Sequence, residues 1–323
     1  MVKKKGKKLR NDLWITELPW YAINKSLPTD SYFTSKETAK KCFDIFLNVC
    51  DKYNIDVNEY TFIEPGVGDG SFFDLMPKDR RIGIDIIDRR VDVIDSDFLK
   101  WMPDELDNKY ITLGNPPFGI RGAIALAFTN RSLLFSDAVG FILPMSFHSD
   151  GKGTNMRRVI NGHLIHSVII ENEKFYSPDN DKEIKVNILF QVWKRGAGKG
   201  IFKEYDISEY AEIKTVNSDP KRYCGMDKLN EYDFFINSTF FENGEGNKIV
   251  YKFSDLKYSA GYGVIIKKNK DELLTKLSKI NWIDYSSIAT NSCRHIRMHH
   301  IRKCFFDMGV GKEINDTDNS IFW

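Results

Sequence analysis

The run Leu113-Gly114-Asn115-Pro116-Pro117-Phe118-Gly119 sets a carboxamide, two proline carbonyls and an aromatic ring side by side. Such a set suits one kind of chemistry, in which a planar amine is gripped by its hydrogens so that its nitrogen can attack an electrophile. The Asn115 side-chain oxygen can accept one hydrogen bond and the Pro116 carbonyl a second. Proline fixes φ and pushes the preceding residue toward extended backbone, so both acceptors are held rather than sampled. Phe118 is then placed to lie flat against a ring. Standing alone, the tetrapeptide would read as a Pro-Pro turn after a strand.

It does not stand alone. Upstream lies Phe62-Ile63-Glu64-Pro65-Gly66-Val67-Gly68-Asp69-Gly70-Ser71, then Phe72-Phe73-Asp74-Leu75. This reads as a strand end, a glycine-rich turn and the start of a helix. Glycines let backbone amides approach a ligand closely, and a helix N-terminus favours negative charge. Ser71 stands where a dinucleotide fingerprint has its third glycine, which argues against a nicotinamide cofactor. In Ile82-Gly83-Ile84-Asp85-Ile86-Ile87, Asp85 follows Glu64 by about twenty residues, the usual place for a carboxylate that accepts both ribose hydroxyls. Val93-Ile94-Asp95-Ser96-Asp97-Phe98 offers a further carboxylate, placed to accept an adenine amino hydrogen. Each acid alone would be a turn or cap residue. Their order, ahead of Asn115-Pro116-Pro117-Phe118, favours ligands.

That order resembles the class I S-adenosylmethionine-dependent methyltransferases, specifically the N6-adenine DNA methyltransferases of the gamma arrangement. There the glycine loop and first acid come first, the catalytic tetrapeptide second and the target-recognition region last. The family's earliest motif, aromatic-Thr-Pro, has its counterpart in Tyr32-Phe33-Thr34-Ser35-Lys36, with Ser35 in place of proline. The resemblance spans residues 30–195. It implies a Rossmann-like methyltransferase sheet, mostly parallel with a terminal antiparallel hairpin. It also implies S-adenosyl-L-methionine as methyl donor, held by Tyr32, Phe33, Thr34, Glu64, Gly66, Gly68, Asp85, Ile86, Asp97, Phe98 and Asn115. Asn115, Pro116, Pro117 and Phe118 would be the catalytic group. The target adenine would leave the duplex and stack between Phe118 and a hairpin aromatic, Phe175 first and Tyr176 second. No metal is needed, and none of the five cysteines follows a proline, as a thiol acting on cytosine would.

The elements that must position these residues follow from apolar patterning. Helical spacing covers 38–49 and 123–135; strands are predicted at 61–64, 81–85, 91–95, 110–114, 138–144, 164–171 and 184–193, with Phe175 and Tyr176 in the turn between the last two. Near-continuous apolar strands alternating with helices imply a mostly parallel sheet covered on both faces, with ligands at the carboxyl ends of its strands. The predicted division is a basic arm at 1–30, a catalytic domain at 31–195, a glycine-rich linker at 196–200 and a smaller α+β target-recognition domain at 201–323. The loop 147–154 reads equally as a lid over nucleic acid, with Lys152 and Arg157 as phosphate contacts, or as plain surface.

Beyond the linker no catalytic pattern occurs. The segment from Cys293 to Cys304 carries two cysteines and three histidines, but its spacing matches no closed zinc pattern. It is predicted to be a basic helix presenting Arg294, Arg297, Arg302 and Lys303 to phosphates or base edges, a solvated charged face being the other reading.

Composition bounds the rest. A 323-residue chain with 42% hydrophobic and 28% charged residues describes a globular protein of one large or two modest domains. A net charge of +2 means that any nucleic-acid surface is a local patch. Five scattered cysteines fit a reducing compartment, so a cytoplasmic, nucleoid-associated protein is expected. The lysine-rich start lacks the apolar stretch of a secretory signal, and no window is apolar enough to span a bilayer. The expected partner is double-stranded DNA, bound by a monomer or weak dimer, with a cognate restriction endonuclease acting separately left open. The rival readings are an RNA adenine N6-methyltransferase, a protein glutamine N5-methyltransferase and a non-catalytic nucleic-acid binder.

Overall fold

The structure, a computed structural model, describes residues 33–148, 154–176, 183–198, 200–201, 203–241, 246–290 and 293–314. The chain divides into two units: Met1–Phe147 with Arg158–Ile201, and His148–Arg157 with Phe202–Trp323.

The first unit opens with a two-residue strand, β1 (Phe33–Thr34), and a helix, α1 (Lys36–Lys52). Ser35 caps that helix, its hydroxyl accepting from the Thr38 amide at 3.1 Å; an N-cap hydroxyl satisfies one of the orphan amides of the first turn. Ala39, Cys42, Phe43, Phe46, Val49 and Cys50 recur at helical spacing and are buried. Then follow β2 (Thr61–Pro65), β3 (Arg81–Asp85), β4 (Ile94–Asp95), β5 (Tyr110–Gly114), α2 (Ala123–Ser132), β6 (Ser136–Leu143), β7 (Gly162–Tyr176) and β8 (Glu183–Arg195). They form one eight-stranded sheet, in the order β1-β7-β8-β6-β5-β2-β3-β4. From β4 to β6 every pairing is parallel; β8 runs antiparallel between β6 and β7, and β1 antiparallel to β7. This is the mostly parallel sheet with a terminal hairpin that the sequence implies.

Both faces are covered. Ile111 and Leu113 of β5 join the cluster around Phe43, Phe46, Phe62 and Phe190. Tyr110, which alternation directs to the other face, meets Phe135 at 6.3 Å, in a group with Phe98, Trp101 and Phe128 of α2. The chain leaves β2 outward to β3 and β4, then returns to β5 on the other side of β2. The carboxyl ends of β2 and β5 therefore flank the switch point, where open α/β sheets hold ligands.

Several local expectations are corrected. The helix expected from Phe72 is a single 3-10 turn, Phe73–Leu75. It ends at Met76 because a residue before proline, here Pro77, is disfavoured in helical backbone. The strand at 91–95 shrinks to Ile94–Asp95, with Val91 fully exposed and Asp92 paired to Arg90. Phe175 and Tyr176 are the last residues of β7, paired to both β1 and β8, rather than a turn. The helix at 123–135 stops at Ser132. At the two ends of the glycine-rich stretch, the Gly196 amide donates to the Asn161 carbonyl at 2.8 Å and the Ile201 amide, just beyond it, to that of Leu164 at 2.9 Å.

The second unit has its own core around Phe234, Phe240, Trp282, Ile296, Ile301 and Phe305. Its elements are β9 (Glu204–Asp206), β10 (Ala211–Asn217), β11 (Phe234–Asn237), β12 (Thr239–Phe241), β13 (Ala260–Ile266), α3 (Lys270–Leu277), β14 (Ser287–Thr290), β15 (Cys293–His295), α4 (Met298–Asp307) and β16 (Lys312–Ile314). They make two three-stranded sheets, β10-β13-β11 and β12-β15-β14, and the pair β16-β9, the α+β character expected. Among the described residues no helix is long and apolar enough to cross a membrane.

Candidate active site

Strand β5 is buried throughout and delivers Asn115 at its carboxyl end. The Asn115 Nδ2 donates to Thr34 Oγ1 at 3.1 Å. Its Oδ1 is buried and has no hydrogen-bond partner. Buried acceptors in folded proteins are nearly always satisfied, so an orphan facing a crevice marks a place for a donor group. Pro116 is buried, whereas Pro117 and Phe118 are exposed. The Phe118 carbonyl accepts from the amides of Ile124 and Ala125, at 3.2 and 3.3 Å, which pins the tetrapeptide to the start of α2. Gly119 makes that turn possible: its φ is +65°, and a Cβ there would lie 2.4 Å from Ile124 Cγ1.

The glycine loop lies against the tetrapeptide, a Cβ on Gly66 falling 3.7 Å from Pro117 Cδ. Asp85 stitches this loop to β3, with Oδ2 accepting from the Gly68 amide at 2.8 Å and Oδ1 from that of Ile87 at 2.9 Å. Glu64 is 2% exposed, and its Oε2 is a second buried acceptor with no partner. Burial, reinforced by Asp69 and more weakly by Asp74 and Asp85, holds its carboxyl well above the usual range, and the Phe73 amide only partly opposes this. Phe33, Thr34, Glu64, Gly66, Gly68, Asp69, Ser71 and Asn115 line one crevice. Two acids there and no full helix N-terminus disfavour a phosphate.

Phe33 half-covers the crevice, its ring 3.1 Å from where a Gly68 Cβ would be and 5.4 Å below the Arg89 guanidinium. The space between the lining residues is about 30 Å³, whereas ligand pockets usually run to about 300 Å³ or more.

The structure brings Phe33, Thr34, Glu64, Gly66, Gly68 and Asn115 to this crevice, with Asp85 bound to its loop. Other predicted residues stand elsewhere. Phe98 is 2% exposed and packs on Phe128 at 5.0 Å, as part of the core. Asp97 accepts from the Leu99 amide at 3.0 Å and pairs with Lys100 at 3.2 Å. Ile86 is exposed. Phe175, the preferred stacking residue, is 4% exposed within the core cluster of the sheet, leaving Tyr176, at 39%, as the accessible ring of the two. Tyr32 and Lys152 lie outside the described residues.

Sequence reasoning passed over Asp69, although an acid inside a glycine loop was the available signal. It also passed over the tie between Thr38 Oγ1 and Glu173 Oε2 at 2.5 Å, for which no local pattern exists.

The basic segment of the second unit is not one helix. Arg294 sits half-buried on β15, its Nη1 3.4 Å from Ser286 Oγ, and Arg297 precedes α4. The Arg297 Nη2 lies 2.9 Å from His295 Nδ1, and its amide donates to His300 Nδ1 at 3.1 Å. Burial pushes His300 down to about 2 and, with Arg297 beside it, His295 to about 4. The Cys304 thiol is buried and pushed up to about 12. Lys303 pairs with Asp307 at 2.5 Å, Arg157 pairs with Glu204, and Arg302 is exposed. Ile296, Ile301 and Cys304 are buried at this strand-to-helix corner. Among the described residues no group of three or more His, Cys, Asp or Glu side chains is arranged to hold a metal.

No protein-family model matches the sequence, and no curated protein matches it. Among solved structures the chain is similar to a candidate RNA methyltransferase from Pyrococcus horikoshii, at 15% identity and a TM-score of 0.39, over 57% of this chain and 95% of that one. It is similar also to the 23S rRNA methyltransferase ErmE, at 15% identity and 0.31, over 49% and 70% of the two chains. A third is the M protein of the type I restriction enzyme EcoKI, at 12% identity and 0.32, over 77% and 65%. These likenesses are remote, and the fold is identified by its strand order alone.

Proposed function

We propose that this protein is an S-adenosylmethionine-dependent methyltransferase acting on the N6 amine of an adenine turned out of duplex DNA. The observation that carries the reading is the Asn115 amide, whose oxygen is buried and unpartnered in a residue that lines the crevice formed by the glycine loop and Glu64.

The residues fit the donor. Asp85 stands at the end of β3, where a ribose would meet it, and each of its oxygens, although accepting one backbone amide, keeps a second lone pair for a hydroxyl. Asp69 places negative charge where a cationic methionyl group gains from it, and such a group would draw the buried Glu64 toward its ionised form. When bound, the donor supplies a methyl carbon on a positively charged sulfur; the amine nitrogen bonds to that carbon as the carbon–sulfur bond breaks, leaving a neutral thioether.

The chain's own contribution is positioning and electrostatics. The adenine amine is a poor nucleophile because its lone pair is delocalised into the ring. Asn115 Oδ1 and the Pro116 carbonyl accept its two hydrogens and draw the nitrogen toward tetrahedral geometry. Phe118, exposed beside them, receives one face of the base, and stacking on an aromatic ring offsets part of the cost of extrusion. A carboxamide is a poor proton acceptor, so the proton leaves to water after transfer.

Restriction–modification, with a separate endonuclease, is the setting in which such an activity makes sense; an RNA adenine or a glutamine amide would fit the same acceptor pair. The test incubates the protein with tritiated S-adenosylmethionine and, in parallel, duplex DNA, single-stranded DNA, structured RNA and protein. Label recovered as N6-methyladenine from the duplex supports the reading; label confined to RNA or protein overturns its substrate, and no donor binding overturns it altogether.

A further inference from the structure

We propose that Thr34 is the positioning residue that holds the Asn115 amide in place for the amine. This deepens the methyl-transfer reading and rests on it.

A carboxamide has two ends of nearly equal size and opposite character: the oxygen accepts, and the NH2 donates. Only the oxygen end can take a hydrogen from an acceptor amine. Were the group rotated by half a turn, two N–H groups would face the substrate NH2 and repel it. Covalent structure does not choose between the two orientations, and a hydroxyl, which both donates and accepts, can meet either end. Here the Thr34 hydroxyl oxygen accepts from Asn115 Nδ2 at 3.1 Å while Oδ1 stays unpartnered, so the contact holds the amide by its NH2 and leaves the oxygen unspent. Asn115 itself follows the last residue of β5 and is held by the two prolines after it, so the amide's rotation is the freedom left to settle.

Thr34 is well fixed for this role. It is 5% exposed and β-branched, which restricts its χ1. It lies on β1 opposite Phe175 of β7, and the next amide, Ser35, donates to the Lys174 carbonyl at 3.3 Å. Ser35 Oγ lies 2.8 Å from Thr38 Oγ1, which donates to Glu173 Oε2 at 2.5 Å; Lys41 holds the other oxygen of Glu173 at 2.8 Å. The threonine hydroxyl is thus anchored through β1 and α1 to β7, and the strap that crosses the crevice sets the amide as well as covering the donor.

The experiment compares Thr34→Val, which keeps the shape and removes the acceptor, with Thr34→Ser, which keeps the hydroxyl. Single-turnover methylation and S-adenosylmethionine affinity by calorimetry are read on the full chain. Thr34→Val is expected to slow transfer by about 10- to 100-fold, with donor Kd within about threefold of wild type, and Thr34→Ser to recover most of the rate. Added to Asn115→Ala, Thr34→Val should cost little more, because the two act as one unit. A Thr34→Val rate equal to wild type overturns the proposal, as does a full additional loss on top of Asn115→Ala. A loss of donor affinity in proportion to rate also overturns it, since Thr34 would then be a ligand of the donor. Proton exchange at the Asn115 NH2, followed by NMR, reads the same pair without any turnover. Faster exchange in Thr34→Val than in Thr34→Ser supports the pairing; equal exchange overturns it. A protein that protects this NH2 but methylates no adenine would sink the functional reading and leave the pairing intact.

Discussion

The tetrapeptide Asn115 to Phe118 and the segment from Cys293 to Cys304 are both dense in groups that could hold a ligand, and the fold uses them in opposite ways. Around Asn115 two buried acceptors, Glu64 Oε2 and Asn115 Oδ1, are left without partners at one crevice. In the later segment Arg297 engages His295 and His300, Lys303 engages Asp307, and Cys304 faces a core. Hydrogen-bonding capacity spent inside the protein builds a corner between strand and helix; capacity kept unspent under burial costs stability unless something fills it. The density of reactive residue types does not distinguish the two cases. What their atoms already touch does.

The largest expected effect breaks the contrast at its source. Asn115→Ala should lower single-turnover methylation by about 100-fold or more while leaving donor affinity within about threefold. Normal transfer by this variant would mean that the orphan oxygen is not the amine's acceptor. Next, Asp85→Ala should raise the donor Kd by about 10- to 100-fold, since it removes charge-assisted acceptors and loosens the Gly68 turn; isothermal titration checks this. The opposite pattern is expected in the second unit. Arg297→Ala should cost about 1–3 kcal/mol in urea unfolding, by stripping the neutral His295 of its partner, with donor affinity unchanged. A lost donor site without lost stability would erase the distinction.

The smallest effect concerns pH. Glu64 is raised above its ordinary 4.5 by burial and by Asp69. Its contribution to stability is complete below 4.5, where folded and unfolded chains both carry the proton, and is lost as pH rises through the raised value. Glu64→Gln removes this dependence. Its melting temperature should match wild type near about pH 4 and exceed it increasingly toward about pH 8. Saturating S-adenosylmethionine should narrow the gap, because a cationic ligand favours the ionised carboxylate. A gap that does not change with pH would mean that Glu64 is not held protonated by its surroundings.

Most of the sheet was legible in the sequence. Strands such as 81–85 and 110–114 are short apolar runs bounded by turn residues, and such patterns are local. The first helix was legible for the same reason, and Ser35, standing in the proline position of the family motif, caps it. The misses share a cause. By order Phe98 suits the donor and Phe175 the base, but packing on Phe128 and within the core cluster of the sheet buries both.

By itself, then, the sequence determined the alternation of strands and helices, the glycine loop, and an asparagine fastened between a strand and two prolines, since periodicity and proline geometry act between near neighbours. Only the tertiary structure decided what that amide touches. Its partner is a hydroxyl 81 residues away, brought alongside by an edge strand of two residues, and no local pattern encodes a contact of that kind.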